Sequence, residues 1–143
     1  MSTPRFSGTQ FATAYVVAVF TLGVLDAAWL GWLATDFYRK AFGSLLADSV
    51  RLLPAALFYL LYPLGLVFLA LRHAPTTFAA AMTSAVVGLV AYGTYDLTNW
   101  STLREWGPLL TVVDLAWGTF ASSLAGAIAH RAAGGRLRDQ GQS

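Results

Sequence analysis

A chain of 143 residues in which 57% are hydrophobic and 11% charged, with a mean hydropathy of +0.59, lies outside soluble usage and belongs in a membrane. At about 20 apolar residues per span, it holds about four transmembrane helices and no separate soluble domain. The nine lysines and arginines give a pI of ≈ 9.2, but they are scattered over loops and tails with no basic run, which points to membrane orientation and away from nucleic acid. The absence of cysteine excludes disulfides, iron–sulfur clusters and thiol nucleophiles.

In chain order, a polar lead containing Arg5 precedes a first span over residues 11–34. A cleaved leader would have a shorter apolar region, with small residues where Asp26, Trp29 and Trp32 stand, so this helix is read as retained. In TDFYRKAFGSLLADSV, residues 35–50, the positions Phe37, Phe42, Leu45, Leu46 and Val50 recur at near-helical spacing among charges. That pattern predicts an amphipathic helix lying in the membrane interface. A second span covers 52–71, with Pro54 and Pro63 inside it. RHAP at 72–75 is a tight turn, and a third span covers 76–97. The polar loop TNWSTLREWG leads to Pro108, a good first-turn residue for a fourth span over 108–130, and the tail 131–143 is polar and glycine-rich. The predicted fold class is therefore an all-α integral membrane protein: a single-domain bundle of four transmembrane helices, with a short interfacial amphipathic helix between the first and second.

Arg5, Arg72, Arg131, Arg136 and Arg138 fall on the side of the termini, against Arg39, Lys40, Arg51 and Arg104 on the other. Trp29, Trp32, Trp100 and Trp106 gather at that second side like an interfacial belt. Both observations place the termini in the cytoplasm.

VLDAAWL at 24–30 and VVDLAWG at 112–118 share the spelling Asp-x-Ala-Trp, inside two of the apolar spans. Counting 1.5 Å per residue puts Asp26 and Asp114 each roughly 8 to 9 Å below the same face of a 30 Å core. Antiparallel first and fourth helices then bring the two Asp-Trp pairs side by side. Tyr59 and Tyr62 of the second span, Tyr92, Tyr95 and Asp96 of the third, and Asn99 just beyond it fall in the same half. Asp96 is expected at a helix C-terminus, where its charge opposes the helix dipole, and Asn99 is a helix-end residue.

A mid-helix aspartate costs about 2.5 to 3.5 kcal/mol on insertion scales and faces the bundle interior or a wet cavity. Two carboxylates at one depth also repel, so that one of them holds a proton. The cluster is either interhelical glue, each acid accepting a bond from tyrosine or tryptophan, or a pocket for a ligand, an ion or a proton. Trp29 also suits a belt, whereas Trp117 lies too deep for one and needs an indole partner or a pocket wall. Gly118, Ser122 and Gly126 form a small-residue packing stripe. His73 and His130 sit near one end of the bundle but lack the second shell that haem ligation requires, so no cofactor is expected. Serine elbows, Walker loops, HExxH and paired-aspartate diphosphate motifs are absent.

LDAAWLGWLATDFYRKAFG, LFYLLYPLGLVF, AYGTYDLTNWSTLREW and TVVDLAWGTF together resemble the bacterial "predicted membrane protein" family of unknown function, whose members carry Asp-x-x-Trp-Leu, Tyr-Asp-Leu-Thr-Asn and Asp-x-x-Trp-Gly blocks. The resemblance runs from about residue 13 to 128. It implies a four-helix protein of the bacterial inner membrane and brings no activity with it. Its blocks fall on Asp26, Trp29, Tyr95, Asp96, Asn99, Asp114 and Trp117. The candidate site is therefore Asp26, Trp29, Tyr59, Tyr95, Asp96, Asn99, Asp114 and Trp117. The leading reading is binding or translocation of a small amphipathic or cationic molecule at an acidic, aromatic-lined pocket within the lipid bilayer, opening toward the non-cytoplasmic face. The alternatives are an accessory subunit packing against a larger membrane complex through the Gly118 stripe, and a membrane enzyme acting on lipid or isoprenoid chains; the partners expected are a small-molecule or lipid ligand and a larger membrane complex or homo-oligomer.

Overall fold

The structure is a computed structural model that describes residues 6–135. Arg5 and the tail from residue 136 onward lie outside the described residues. Five α-helices follow in order: α1 (Gly8–Ala28), α2 (Thr35–Phe42), α3 (Leu52–Leu66), α4 (Thr77–Thr102) and α5 (Pro108–Ala132). α1 continues into a π-helical turn at Trp29–Leu33, and α3 into another at Val67–Leu71. Four stretches, Gly8–Leu33, Leu52–Leu71, Thr77–Thr102 and Pro108–Ala132, are long and apolar enough to cross a membrane. The protein is an all-α membrane protein.

Local chemistry starts three of these helices. Ser7 and Gln10 close a capping box on α1, Thr76 accepts from the Ala79 N–H to cap α4, and Pro108 occupies the first turn of α5, where its missing N–H costs nothing. Alanine dominates the core, with Ala14 and Ala18 of α1 against Ala121, Ala125 and Ala129 of α5 and Ala80 of α4. Small side chains let helix backbones approach closely, and in lipid this packing replaces the hydrophobic driving force available in water.

The α4–α5 interface takes this furthest. A Cβ added to Gly88 would lie 2.6 Å from the Ser122 hydroxyl, and one added to Gly118 would lie 2.2 Å from the Tyr92 ring. The stripe Gly118, Ser122, Gly126 is thus covered by α4, with Gly126 set against Ser84. It is a packing face inside the molecule and is closed to another subunit.

The first and last described residues lie at one face of the bundle, here called the terminal end. The Gln10 side-chain amide donates to the Ala133 carbonyl at 3.1 Å, and the Phe6 N–H to the Arg72 carbonyl at 3.2 Å. His130 is buried there. Its Nε2–H donates to the Ala74 carbonyl at 3.1 Å, which leaves Nδ1 to accept from the Thr77 hydroxyl at 3.0 Å. With both ring nitrogens bonded, His130 has none to offer an axial site.

Three expectations change at the opposite, loop end. The amphipathic helix stops at Phe42, because Gly43 turns the backbone to φ +48, and Leu45, Leu46 and Val50 lie exposed beyond it. Its buried face packs on the end of the bundle, where Ala34 and Tyr38 join Trp106 and Leu110. Trp106 is therefore a core residue, 5% exposed, while Trp32 and Trp100 remain open to the surroundings at 81% and 46%. Finally, α4 runs on to Thr102. The polar residues read as loop bond to their own helix, the Thr98 hydroxyl to the Thr94 carbonyl at 2.5 Å and the Thr102 hydroxyl to the Thr98 carbonyl at 2.8 Å. Asp96 and Asn99 consequently sit inside a helix, and Asp96 does not face the dipole's negative end.

Candidate functional site

The helices do not pack evenly. α3 lies along α1 and meets α4 and α5 chiefly through its last turn, Val67–Leu71, at the terminal end. Pro63 lies inside α3 and has no N–H for the Tyr59 carbonyl one turn earlier, which weakens the helix at that level. Toward the loop end a cleft lies between α3 and α4. Its floor is Tyr62, whose hydroxyl shares a 2.6 Å hydrogen bond with Ser122 and whose ring meets Tyr92 edge-on at 6.4 Å.

This cleft is a cavity of ≈ 570 Å³, lined by Asp26 and Leu30 from the first span, Tyr38 and Phe42 from α2, Ala55, Phe58, Tyr59 and Tyr62 from α3, Ala91, Tyr92 and Tyr95 from α4, and Asp114 and Trp117 from α5. Eight of these thirteen residues are aromatic, two are carboxylates and none is basic. Leu30, Phe58 and Tyr95 are exposed, so the cavity has an open side.

The two Asp-x-Ala-Trp motifs meet on α1 and α5. Trp29 and Trp117 stack at 4.5 Å with planes 5° apart. Each motif serves the acid of the other. The Trp117 indole N–H donates to Asp26 at 2.9 Å, and Tyr59 of α3 donates to the other oxygen of Asp26 at 3.0 Å. In the reverse direction Tyr38 is interposed: the Trp29 indole N–H donates to the Tyr38 hydroxyl at 3.1 Å, and that hydroxyl donates to Asp114. Burial first, and the Asp114 bond second, push the Tyr38 hydroxyl above its ordinary range, so it keeps its proton and acts as donor. Among the described residues every hydrogen bond to Asp26 and Asp114 thus comes from a phenol or an indole, and none of the residues lining the cavity is a cation that could neutralise either acid.

Asp96 stands behind this wall. It is fully buried, and among the described residues neither carboxylate oxygen has a hydrogen-bond donor. Its neighbours are Asp114 and Trp106. The Trp106 indole donates to Thr111 at 3.2 Å.

Of the residues singled out in the sequence, Asp26, Tyr59, Tyr95, Asp114 and Trp117 lie on one cavity. Trp29 backs it by stacking on Trp117 and bonding Tyr38, and so is no simple belt residue. Asp96 is one layer behind, and Asn99 is off the wall, its carbonyl closing the end of α4 with the Leu103 N–H at 2.8 Å. Tyr38 and Phe42 escaped sequence reasoning. Their signal was the spacing Ala34, Tyr38, Phe42, one residue per turn on the face of α2 that the bundle covers.

Fold and site together define a class: a membrane protein with four candidate spans and an acidic, aromatic-walled cleft toward the loop end of its helices. Residues 11–131 match the family model described as "Predicted membrane protein (DUF2177)", and the chain belongs to that family. No curated protein and no solved structure matches it.

Proposed function

We propose that the protein binds, and passes through its cleft, a small amphipathic cation: an amine or quaternary ammonium head on an apolar tail, entering sideways from the bilayer. The observation that carries this reading is the composition of the wall, two intramembrane carboxylates among eight aromatic rings with no basic residue. Carboxylates supply the countercharge, and aromatic faces add attraction for a desolvated cation, about 2 kcal/mol or more in such a setting. An anionic head would meet two acids and be rejected. A cavity of ≈ 570 Å³ suits a ligand of modest size, and its open side between α3 and α4 lets the tail remain in lipid.

Asp26 and Asp114 are the charge partners, Trp117, Tyr59 and Tyr95 the walls, and Trp29 the support that fixes Trp117. We further place the protein in a bacterial inner membrane with both termini cytoplasmic, on the slight arginine excess at the terminal end and the exposed Trp32 and Trp100 at the loop end. The cleft then occupies the outer half of the membrane.

The test is a binding titration in lipid nanodiscs, read by tryptophan fluorescence, with three amphiphiles sharing one alkyl chain and carrying trimethylammonium, sulfate or maltoside heads. Saturable binding of the ammonium alone supports the proposal. Equal response to all three, or none to the ammonium, overturns it.

A further inference from the structure

Two features of the acid cluster remain unused by a site that needs only Asp26 and Asp114. Asp96 is fully buried, yet among the described residues both its oxygens lack a donor, and it adjoins Asp114, which is buried too. An ionised carboxylate only accepts hydrogen bonds, so two ionised acids in contact can do nothing for one another, and burying an unpaired charge is costly. One proton removes the conflict: a protonated carboxyl donates to its ionised neighbour in a short, charge-assisted bond. The groups facing the pair are Tyr38 from α2, Tyr95 on α4, Trp106 from the loop before α5, Tyr92 facing Asp114 across the cleft, and Asp26 of α1, a third carboxylate on the same cavity, whose bonds from Trp117 and Tyr59 are the same in both states of the pair. None is basic, and Tyr38 and Trp106 give their protons to Asp114 and Thr111.

We infer that Asp96 and Asp114 form a proton-binding pair, and that a cation entering the cleft displaces this proton, so that the site exchanges one proton for one cation. The inference rests on the cation reading above. The charges balance: the pair with its shared proton carries one negative charge, and the fully ionised pair with a bound monovalent cation carries the same. The O–H bond at the pair breaks, the proton passes to water at the mouth of the cleft, and the ammonium takes its place against Asp114 without any covalent change. Buried net charge stays constant at both ends of the exchange, which is the condition for moving a cation into a low-dielectric site at low cost. Asp96 makes no contact with the ligand and acts through Asp114 as a positioning residue.

The experiment uses the full chain in nanodiscs of zwitterionic lipid, with dodecyltrimethylammonium kept below its micelle concentration. This probe cannot titrate, so any pH dependence belongs to the protein. Release of one proton per probe makes affinity rise by about tenfold per pH unit over the range where the pair holds its proton. In weakly buffered solution one proton should appear per probe bound. In Asp96→Asn the amide imitates the protonated acid and donates to Asp114, so the slope should vanish and proton release cease. Probe binding without slope or release in the wild type overturns the exchange while leaving the cation reading intact, as does an Asp96→Asn protein that keeps the slope. A second measurement needs no ligand and no variant stability beyond folding: the infrared spectrum of the wild type should show a protonated-carboxyl band that Asp96→Asn removes. A band absent from the wild type overturns the pair. A band present beside a protein that binds no probe overturns the cation reading, and the exchange with it. Should Asp96→Asn fail to fold, the wild-type slope and proton count decide alone.

Discussion

The Tyr38 hydroxyl takes a hydrogen from the Trp29 indole and gives its own to Asp114, so it holds both Asp-x-Ala-Trp motifs in register. Tyr38→Phe removes the donor from a buried carboxylate and the acceptor from a part-buried indole. Hydrogen bonds to charged groups contribute about 1.5 to 3 kcal/mol, and an orphaned partner adds its own penalty. Unfolding by dodecyl sulfate titration in mixed micelles should show a loss of that size, and a stability equal to wild type would count against the network. Asp26 separates charge from hydrogen bonding. In Asp26→Asn the amide oxygen still accepts from Trp117, and its NH₂ can turn toward the Tyr59 oxygen, so the fold should survive. Ammonium affinity should nonetheless drop by about tenfold or more, since about 1.4 kcal/mol is one such factor. Unchanged affinity in that variant would make Asp26 structural cement. Of these residues, Asp26, Asp114 and Trp117 were legible in the sequence, because a carboxylate or a deep indole inside an apolar run has few physical explanations. Tyr38 was not, because a tyrosine among interfacial charges is ordinary and only its direction matters. That direction is set by the π-helical turn Trp29–Leu33 and by Ala34 at φ −119, ψ 7, neither of which any residue type spells out.

At the scale of elements, the glycines of the α4–α5 interface decide how closely those helices approach. A methyl at Gly118 would lie 2.2 Å from the Tyr92 ring, whereas one at Gly23 on α1 meets nothing within 4 Å. Gly118→Ala should therefore destabilise by about 1 to 3 kcal/mol through overpacking, and by displacing Tyr92 it should also distort the cleft. Gly23→Ala should be neutral or slightly stabilising through helix propensity. The same detergent titration checks both, and an indifferent Gly118→Ala would mean that the two helices lie further apart. Ser7 starts α1 three residues ahead of the expected span, whereas Pro108 made the start of α5 readable, since a first-turn proline has residue-specific chemistry. Helix ends were less so. The run Thr98, Ser101, Thr102 looks like a loop in composition, but in an apolar setting each hydroxyl turns back to a carbonyl of its own helix, and α4 gains more than a turn. α2 was readable as an amphipathic helix, but amphipathicity reports that a face is covered and not what covers it. Here Trp106 and Leu110 of the same chain cover it.

For the whole molecule, the arrangement of spans follows from period and length, and depth counting at about 1.5 Å per residue sufficed to put Asp26 and Asp114 at one level on antiparallel helices. It could not reveal that α3 leaves α4 toward the loop end, since that depends on Pro63 and on side-chain volumes summed across an interface. The proposed orientation predicts that a reporter active only outside the cytoplasm works in the 98–107 loop and fails at Ser143, and the reverse pattern would make the cleft open inward. The claim on which the rest depends is that a cationic head sits between α3 and α4 against Asp26 and Asp114. Photolabelling tests it most directly, using an alkyl ammonium with a diazirine beside the nitrogen, applied to the protein in nanodiscs and read by peptide mass spectrometry. The account predicts labels concentrated on Tyr59, Tyr62, Tyr92 and Tyr95, competed away by unlabelled ammonium but not by the sulfate analogue. Labels confined to the lipid-facing Phe20, Val24, Leu61 and Leu69, and indifferent to competitor, would contradict it.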